Sequence, residues 1–207
     1  MIDKFCTFLV NKMRKEIPDI DDERVEVIIY GLQLIIGEIP KIFITFAIAY
    51  LLGVFGLTVF AFLVLMPYRA CSGGFHLKTH FGCVLSTTLY YCGVPILAKY
   101  IVVAQNVEYI LALGIWLFGM LMVKLYAPAD TENVPILRKS ERIQKQILSY
   151  IMLTLGIVIA IFIKDSVISN ILLLGNLVQS MMITRLAYRL TGSKYGYEVY
   201  QDASQIS

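Results

Sequence analysis

Five stretches without a single Asp, Glu, Lys or Arg dominate this chain: Ile42–Tyr68, Thr79–Ala98, Tyr109–Val123, Gln146–Ile163 and Ser166–Thr184. Together they hold 99 of the 207 residues. A helix needs about 20 mostly apolar residues to cross a bilayer. Blocks of this length, with no strand-like alternation, predict an all-α, polytopic membrane protein rather than a barrel. Charged residues make up 16% of the chain, against about 25% in ordinary soluble domains, too few to coat a water-soluble globule. That composition also excludes a disordered chain and a disulfide-framed one. The first apolar run is short and precedes Lys12-Met13-Arg14-Lys15, which is not the pattern of a cleavable signal.

The number of spans turns on residues 25–68, which would reach about 66 Å as one helix, too long for one crossing. Splitting them gives six spans, roughly 25–47, 51–68, 80–98, 109–125, 146–163 and 167–186. One side then carries 15 of the 18 Lys and Arg residues and the other only Lys99 and Lys164, with Lys41 inside a span. A five-span arrangement splits them 8 to 10 and shows no bias. The positive-inside rule selects six spans, with both termini cytoplasmic in the cell membrane. Ile2, Phe5, Leu9 and Met13 recur at helical spacing, which predicts a short amphipathic helix on the inner leaflet within residues 1–24. Residues 25–190 form the transmembrane domain, and residues 191–207 are expected to be a loop-like tail.

Chemistry concentrates in the loop 69–83, which holds both histidines, His76 and His80, two of the four cysteines, Cys71 and Cys83, and the pair Gly73-Gly74. Three readings compete on the residues alone. The loop is merely polar; or His76, His80 and Cys83 bind a metal; or a histidine activates a cysteine thiol to attack a carbonyl. In one continuous helix His76 and Cys83 would be separated by about 10.5 Å of rise, too far for a hydrogen bond. His76 reaches Cys83 only if the chain folds back, a path that Gly73, Gly74 and Gly82 permit, with Cys83 in the first turn of the third span. On spacing alone His80 is the easier partner.

Polar residues elsewhere have two readings each. Glu26, Tyr30, Gln33, Gly37 and Lys41 make a polar stripe on the first span. Gln33, Glu38 and Lys41 either line an active-site cavity, or Glu38 and Lys41 simply pair. Lys124, Arg138, Lys139, Arg142 and Lys145 are a topology signal, a docking surface for an acidic segment, or both. Asp130 or Thr131 is placed to cap a short helix. Cys6 and Cys92 are packing residues, and structural disulfides are not expected. No feature points to a metal, a nucleotide or other cofactor, or nucleic acid. A small transporter or a non-catalytic scaffold is the competing class of function, alongside the metal-dependent protease.

The pattern Arg69-x4-Gly74-x-His76-x6-Cys83, followed two spans later by Tyr126-Ala-Pro-Ala-Asp-Thr-Glu-Asn-Val-Pro135, resembles the accessory gene regulator protein B family. These are membrane cysteine peptidases of Gram-positive quorum sensing. Length, the apolar blocks, the basic N-terminal segment, and Gly31-x-Gln33 with Lys41 extend the likeness over nearly the whole chain. The resemblance implies His76 and Cys83 as the catalytic pair, over the spacing argument for His80. It implies a membrane-associated propeptide substrate with an acidic C-terminal tail, and cyclisation of the product to a thiolactone through an acyl-thioester on Cys83. Arg69 would then contact that tail or, with the N–H groups of Gly73 and Gly74, the oxyanion. A homodimer is compatible with this reading.

Overall fold

The computed structural model describes residues 10, 22–77, 79–132 and 134–200, with the side chains of His80 and of several residues near the start of the first helix left out. The expected amphipathic helix within residues 1–24 lies almost wholly outside them. The described chain is helical: α1 (Asp22–Leu51), α2 (Phe55–Ser72), α3 (His80–Tyr100), α4 (Gln105–Tyr126), α5 (Lys139–Phe162), α6 (Ser166–Met182) and α7 (Arg185–Thr191). It divides into two compact units, Met1–Ala47 and Ile48–Ser207. In the first, α1 carries Pro40 and an ion pair between Lys41 and Glu38.

Among the described residues four helices, within α2, α3, α4 and α5, are long and apolar enough to cross a membrane, and the bent pair α6–α7 adds a fifth if it is counted as one span. Their outer faces are apolar: Leu63, Leu89, Ile110, Leu113 and Phe162 are all exposed. Apolar surface on this scale suits lipid, not water. The expected last span, 167–186, is not one continuous helix. It breaks after Met182 and turns by 71° into α7. Thr184 causes the break locally, because its hydroxyl accepts the Ala187 N–H at 3.3 Å and so starts a new helix. At the other end Asp165 caps α6 by accepting the N–H groups of Val167 and Ile168.

The centre of the second unit is α6, which packs against α2, α3, α4 and α5. Its buried residues lie on every side and include Ser169, Asn170, Asn176, Gln179 and Ser180. In hydrocarbon such groups must find partners within the protein. Asn170 donates to the carbonyls of Ala98 (3.3 Å) and Ile101 (2.9 Å) at the end of α3. Ser180 shares a 3.0 Å hydrogen bond with the Tyr68 hydroxyl of α2, and Tyr90 of α3 donates to Gly175 O at 3.0 Å. Gly175 admits Leu65 of α2 so closely that a Cβ there would lie 2.3 Å from Leu65 Cδ1. Cys92, buried with Ala49 and Val54, is the packing residue the sequence suggests.

The predicted loop-like tail also has structure. Residues 196–200 are helical, and Gly196 lies so close to Thr131 that a Cβ would come within 2.2 Å of its carbonyl oxygen. No periodicity announces a helix this short; long-range contact holds it.

The six-span topology has a direct test. Single cysteines replacing Gln105 and Lys139, both exposed, in a cysteine-free background should react oppositely with an impermeant maleimide on intact cells. Labelling at 105 and protection at 139 is expected; the reverse pattern would invert the topology.

Candidate active site

At one end of the second unit, the chain leaving α2 meets the chain leaving α4. Ala129 N–H donates to Ser72 O at 2.8 Å, and Gly74 N–H donates to Ala129 O at 2.9 Å, forming a one-residue parallel bridge between Gly73 and Ala129. Gly73 has φ +74°, and a Cβ there would lie 2.2 Å from Ala129 O, so the approach requires glycine. The bridge belongs to the segment Tyr126-Ala-Pro-Ala, in which the Ala127–Pro128 peptide is cis.

Two side chains of α2 and α6 brace this junction. Gln179 donates to Ser72 Oγ at 2.8 Å and to Gly73 O at 2.7 Å, and its own Oε1 accepts from Arg69 at 3.1 Å. The Arg69 guanidinium also donates to Met182 Sδ at 3.2 Å and to the Phe75 carbonyl at 3.4 Å. One residue on, Ser193 donates to the His76 carbonyl at 2.8 Å. Consecutive carbonyls of the loop are thus held from two directions.

Beyond His76 the chain folds back. Thr79 caps α3, accepting Gly82 N–H on its hydroxyl at 3.1 Å and Cys83 N–H on its carbonyl at 3.0 Å. Gly82 leaves room for the returning loop: a Cβ would lie 2.8 Å from Thr79 Oγ1 and 3.2 Å from Leu77 Cβ. The result is that Cys83 Sγ lies 3.8 Å from His76 Nδ1. Cys83 is at the edge of burial and His76 is exposed. This separation is at the long end for a hydrogen bond to sulfur. Cys71, Cys83 and Cys92 form no disulfide. Among the described residues no three His, Cys, Asp or Glu side chains are grouped to hold a metal ion, and the His80 side chain is not among them.

The other expected site residues have these surroundings. The N–H groups of Gly73 and Gly74 are bonded to Arg69 O and Ala129 O. Arg69 is a brace for the loop. Arg142 is not an open docking cation: it pairs with the fully buried Asp130 carboxylate at 3.2 Å, donates to Pro128 O and Ile136 O at 3.3 Å, and stacks over Tyr197 at 4.1 Å. Asp130 Oδ2 also accepts Ile136 N–H at 2.9 Å, so Asp130 ties a loop instead of capping a helix, while Thr131 bridges to Val134. Lys145 pairs with Glu141 at 3.5 Å, whereas Lys124, Arg138 and Lys139 are exposed. On α1, Glu38 and Lys41 pair with each other, and the Gln33 side chain lies outside the described residues.

The chain matches the family model described as Accessory gene regulator B over residues 6–183. It is 33% identical over 182 residues to accessory gene regulator protein B of Staphylococcus aureus strain JH9, covering 88% of this chain and 91% of the relative. This chain belongs to the accessory gene regulator B family. A protein of Listeria innocua serovar 6a described as AgrB-like is 31% identical over 188 residues, 87% of each chain. No solved structure matches. For this family member, sequence reasoning missed Gln179, Ser193 and Tyr188. Gln179 had a visible signal, a polar residue inside an apolar block. Ser193 and Tyr188 had none, since their roles come from contacts between distant segments. Tyr188 donates to the carbonyls of Ala129 and Asp130 and stacks on Tyr195, with ring centroids 4.1 Å apart. Burial pushes the Tyr195 phenol above its ordinary range, and its hydroxyl donates to Ile183 O at 2.8 Å.

Removing one partner of a buried ion pair leaves an uncompensated charge. Arg142→Ala should therefore cost on the order of 3 kcal/mol and lower the thermal midpoint in detergent. Arg142→Lys should fall between the two, because an ammonium lacks the planar fork that reaches Asp130, Pro128 and Ile136. An unchanged midpoint in Arg142→Ala would show that the pair contributes little.

Proposed function

We propose that this protein is a membrane cysteine peptidase that removes the C-terminal tail of a quorum-sensing propeptide and hands on the remaining peptide as a thioester. The observation that carries this reading is the 3.8 Å approach of Cys83 Sγ to His76 Nδ1, in a loop braced from both sides. A positioned nucleophile with a base in reach is the arrangement covalent acyl transfer requires. Family membership and the apolar helices support a bilayer setting; in this reading both termini are cytoplasmic and the partner is a propeptide with an acidic tail.

In this scheme His76 takes the thiol proton as Cys83 Sγ attacks the carbonyl carbon at the junction of peptide and tail. The C–N bond of the tetrahedral intermediate breaks, and His76 returns the proton to the departing amine. The tail leaves, and the peptide remains as an acyl-thioester on Cys83. A thiol within the peptide then attacks that thioester, closes a thiolactone ring and restores the Cys83 thiol. Exchange of one thioester for another is nearly isoenergetic and needs no ATP. The first step, amide to thioester, is uphill and is drawn forward by removal of products.

The negative oxygen of the intermediate needs donors. The N–H groups of His80 and Phe81 at the opening of α3, beside the capped Gly82, suit this task, with the helix dipole adding to them. Arg69 acts by positioning His76 through Phe75 O, and the exposed Lys124, Arg138 and Lys139 offer first contact to an acidic tail.

Substitution separates these roles. Cys83→Ala should abolish cleavage, and Cys83→Ser should leave at most a trace. His76→Ala should lower the rate by about 10²–10⁴-fold, the usual worth of a positioned base. His80→Ala should keep most of the activity. If His80→Ala is as inactive as His76→Ala, the choice of base is wrong.

A further inference from the structure

Between α7 and the segment that follows it lies a cavity of about 460 Å³, lined by Arg185, Tyr188, Arg189, Ser193, Lys194 and Glu198 among others. Gly192, left-handed at φ +66°, ends α7 and turns the chain back so that both of its arms face one space. The floor is rigid: Tyr188 and Tyr195 stack with their rings within 2° of parallel, and both hydroxyls are held by backbone carbonyls. Three cations and one carboxylate line the cavity. The carboxylate, Glu198, is taken by Arg185 at 2.5 Å. Among the described residues, no carboxylate pairs with Arg189 or Lys194.

Two cations without a carboxylate partner among the described residues, in a concave, braced site, favour an anionic guest. Ser193 fixes where that guest belongs. It lines the cavity and donates to the His76 carbonyl at 2.8 Å, so the cavity and the Cys83–His76 loop share a wall. Sharing Ser193 with the loop that carries His76 favours a peptide held at Cys83 over a lipid headgroup as the guest. We propose that this cavity is a subsite for carboxylate side chains of the acidic substrate segment, gripped by Arg189 and Lys194. The proposal rests on the reading of Cys83 and His76 as the reacting pair. It makes the residues after the sixth expected span part of the substrate site.

The test uses full-length protein in nanodiscs and synthetic peptides carrying an acidic, a neutral or a lysine-rich tail. Appearance of cleaved tail is followed against peptide concentration. The double variant Arg189→Glu, Lys194→Glu should raise KM for the acidic-tailed peptide about tenfold, leave kcat within about twofold, and hardly affect the neutral-tailed peptide. The lysine-rich tail should recover binding to the variant. If KM rises equally for acidic and neutral tails, the cavity is not a carboxylate subsite. If the loss follows the phosphatidylglycerol content of the nanodisc and ignores tail charge, the guest is a lipid headgroup and the proposal is overturned. Arg189→Gln, Lys194→Gln provides a milder pair should charge reversal prevent folding, with the same pattern expected at smaller amplitude. Failure here leaves cleavage by the wild type dependent on Cys83; failure of the underlying reading would appear as wild-type cleavage that survives Cys83→Ala.

Discussion

The contact between Gly73 and Ala129 involves only two backbone hydrogen bonds, yet it joins loops more than fifty residues apart in sequence and fixes the end of α2 where the reactive loop departs. Each such bond contributes about 1 kcal/mol, so the bridge alone would not hold. It is held because Gln179 bonds Ser72 and Gly73 from inside the bundle, and because Tyr188 bonds the carbonyls of Ala129 and Asp130 from the other side. The junction is therefore a polar knot at the end of an apolar bundle. The fold-back of His76 onto Cys83 begins from it.

That knot explains why the central helix α6 is so polar. Burying Asn170, Asn176, Gln179 and Ser180 in a membrane protein is costly unless every group is paired. Here the pairs do work between helices. Asn170 holds the end of α3, Ser180 holds Tyr68 of α2, and Gln179 orients Arg69, which in turn holds Phe75 beside His76. Lipid gives no hydrophobic force between helices, so these bonds and close contacts such as Leu65 on Gly175 set the arrangement.

Much of this was legible in the residues. Charge-free blocks announce helices, because hydrocarbon leaves the backbone few alternatives, and α2 to α5 follow them to within a few residues at most ends. The break at Thr184 was not legible, since hydropathy is blind to a hydroxyl that caps a new helix. In the loop, spacing alone favoured His80 as the neighbour of Cys83. The fold-back that brings His76 to the sulfur depends on Gly82 and on Ser193, more than a hundred residues away. Arg142 illustrates the same limit: a basic run reads as a docking surface until the buried carboxylate of Asp130 is seen to claim one of its members. Charge patterns report which residues face water or lipid on average, and they do not report pairing across distant segments.

Whether Cys83 carries the peptide as a thioester is open to intact-protein mass spectrometry, with wild-type protein in nanodiscs and a propeptide whose internal cysteine is replaced by alanine, so that ring closure cannot discharge the enzyme. A mass increase equal to the tail-less peptide acid less one water is expected, absent in Cys83→Ala and removed by hydroxylamine. Cleavage without any adduct on Cys83, or an adduct that survives hydroxylamine, would contradict it.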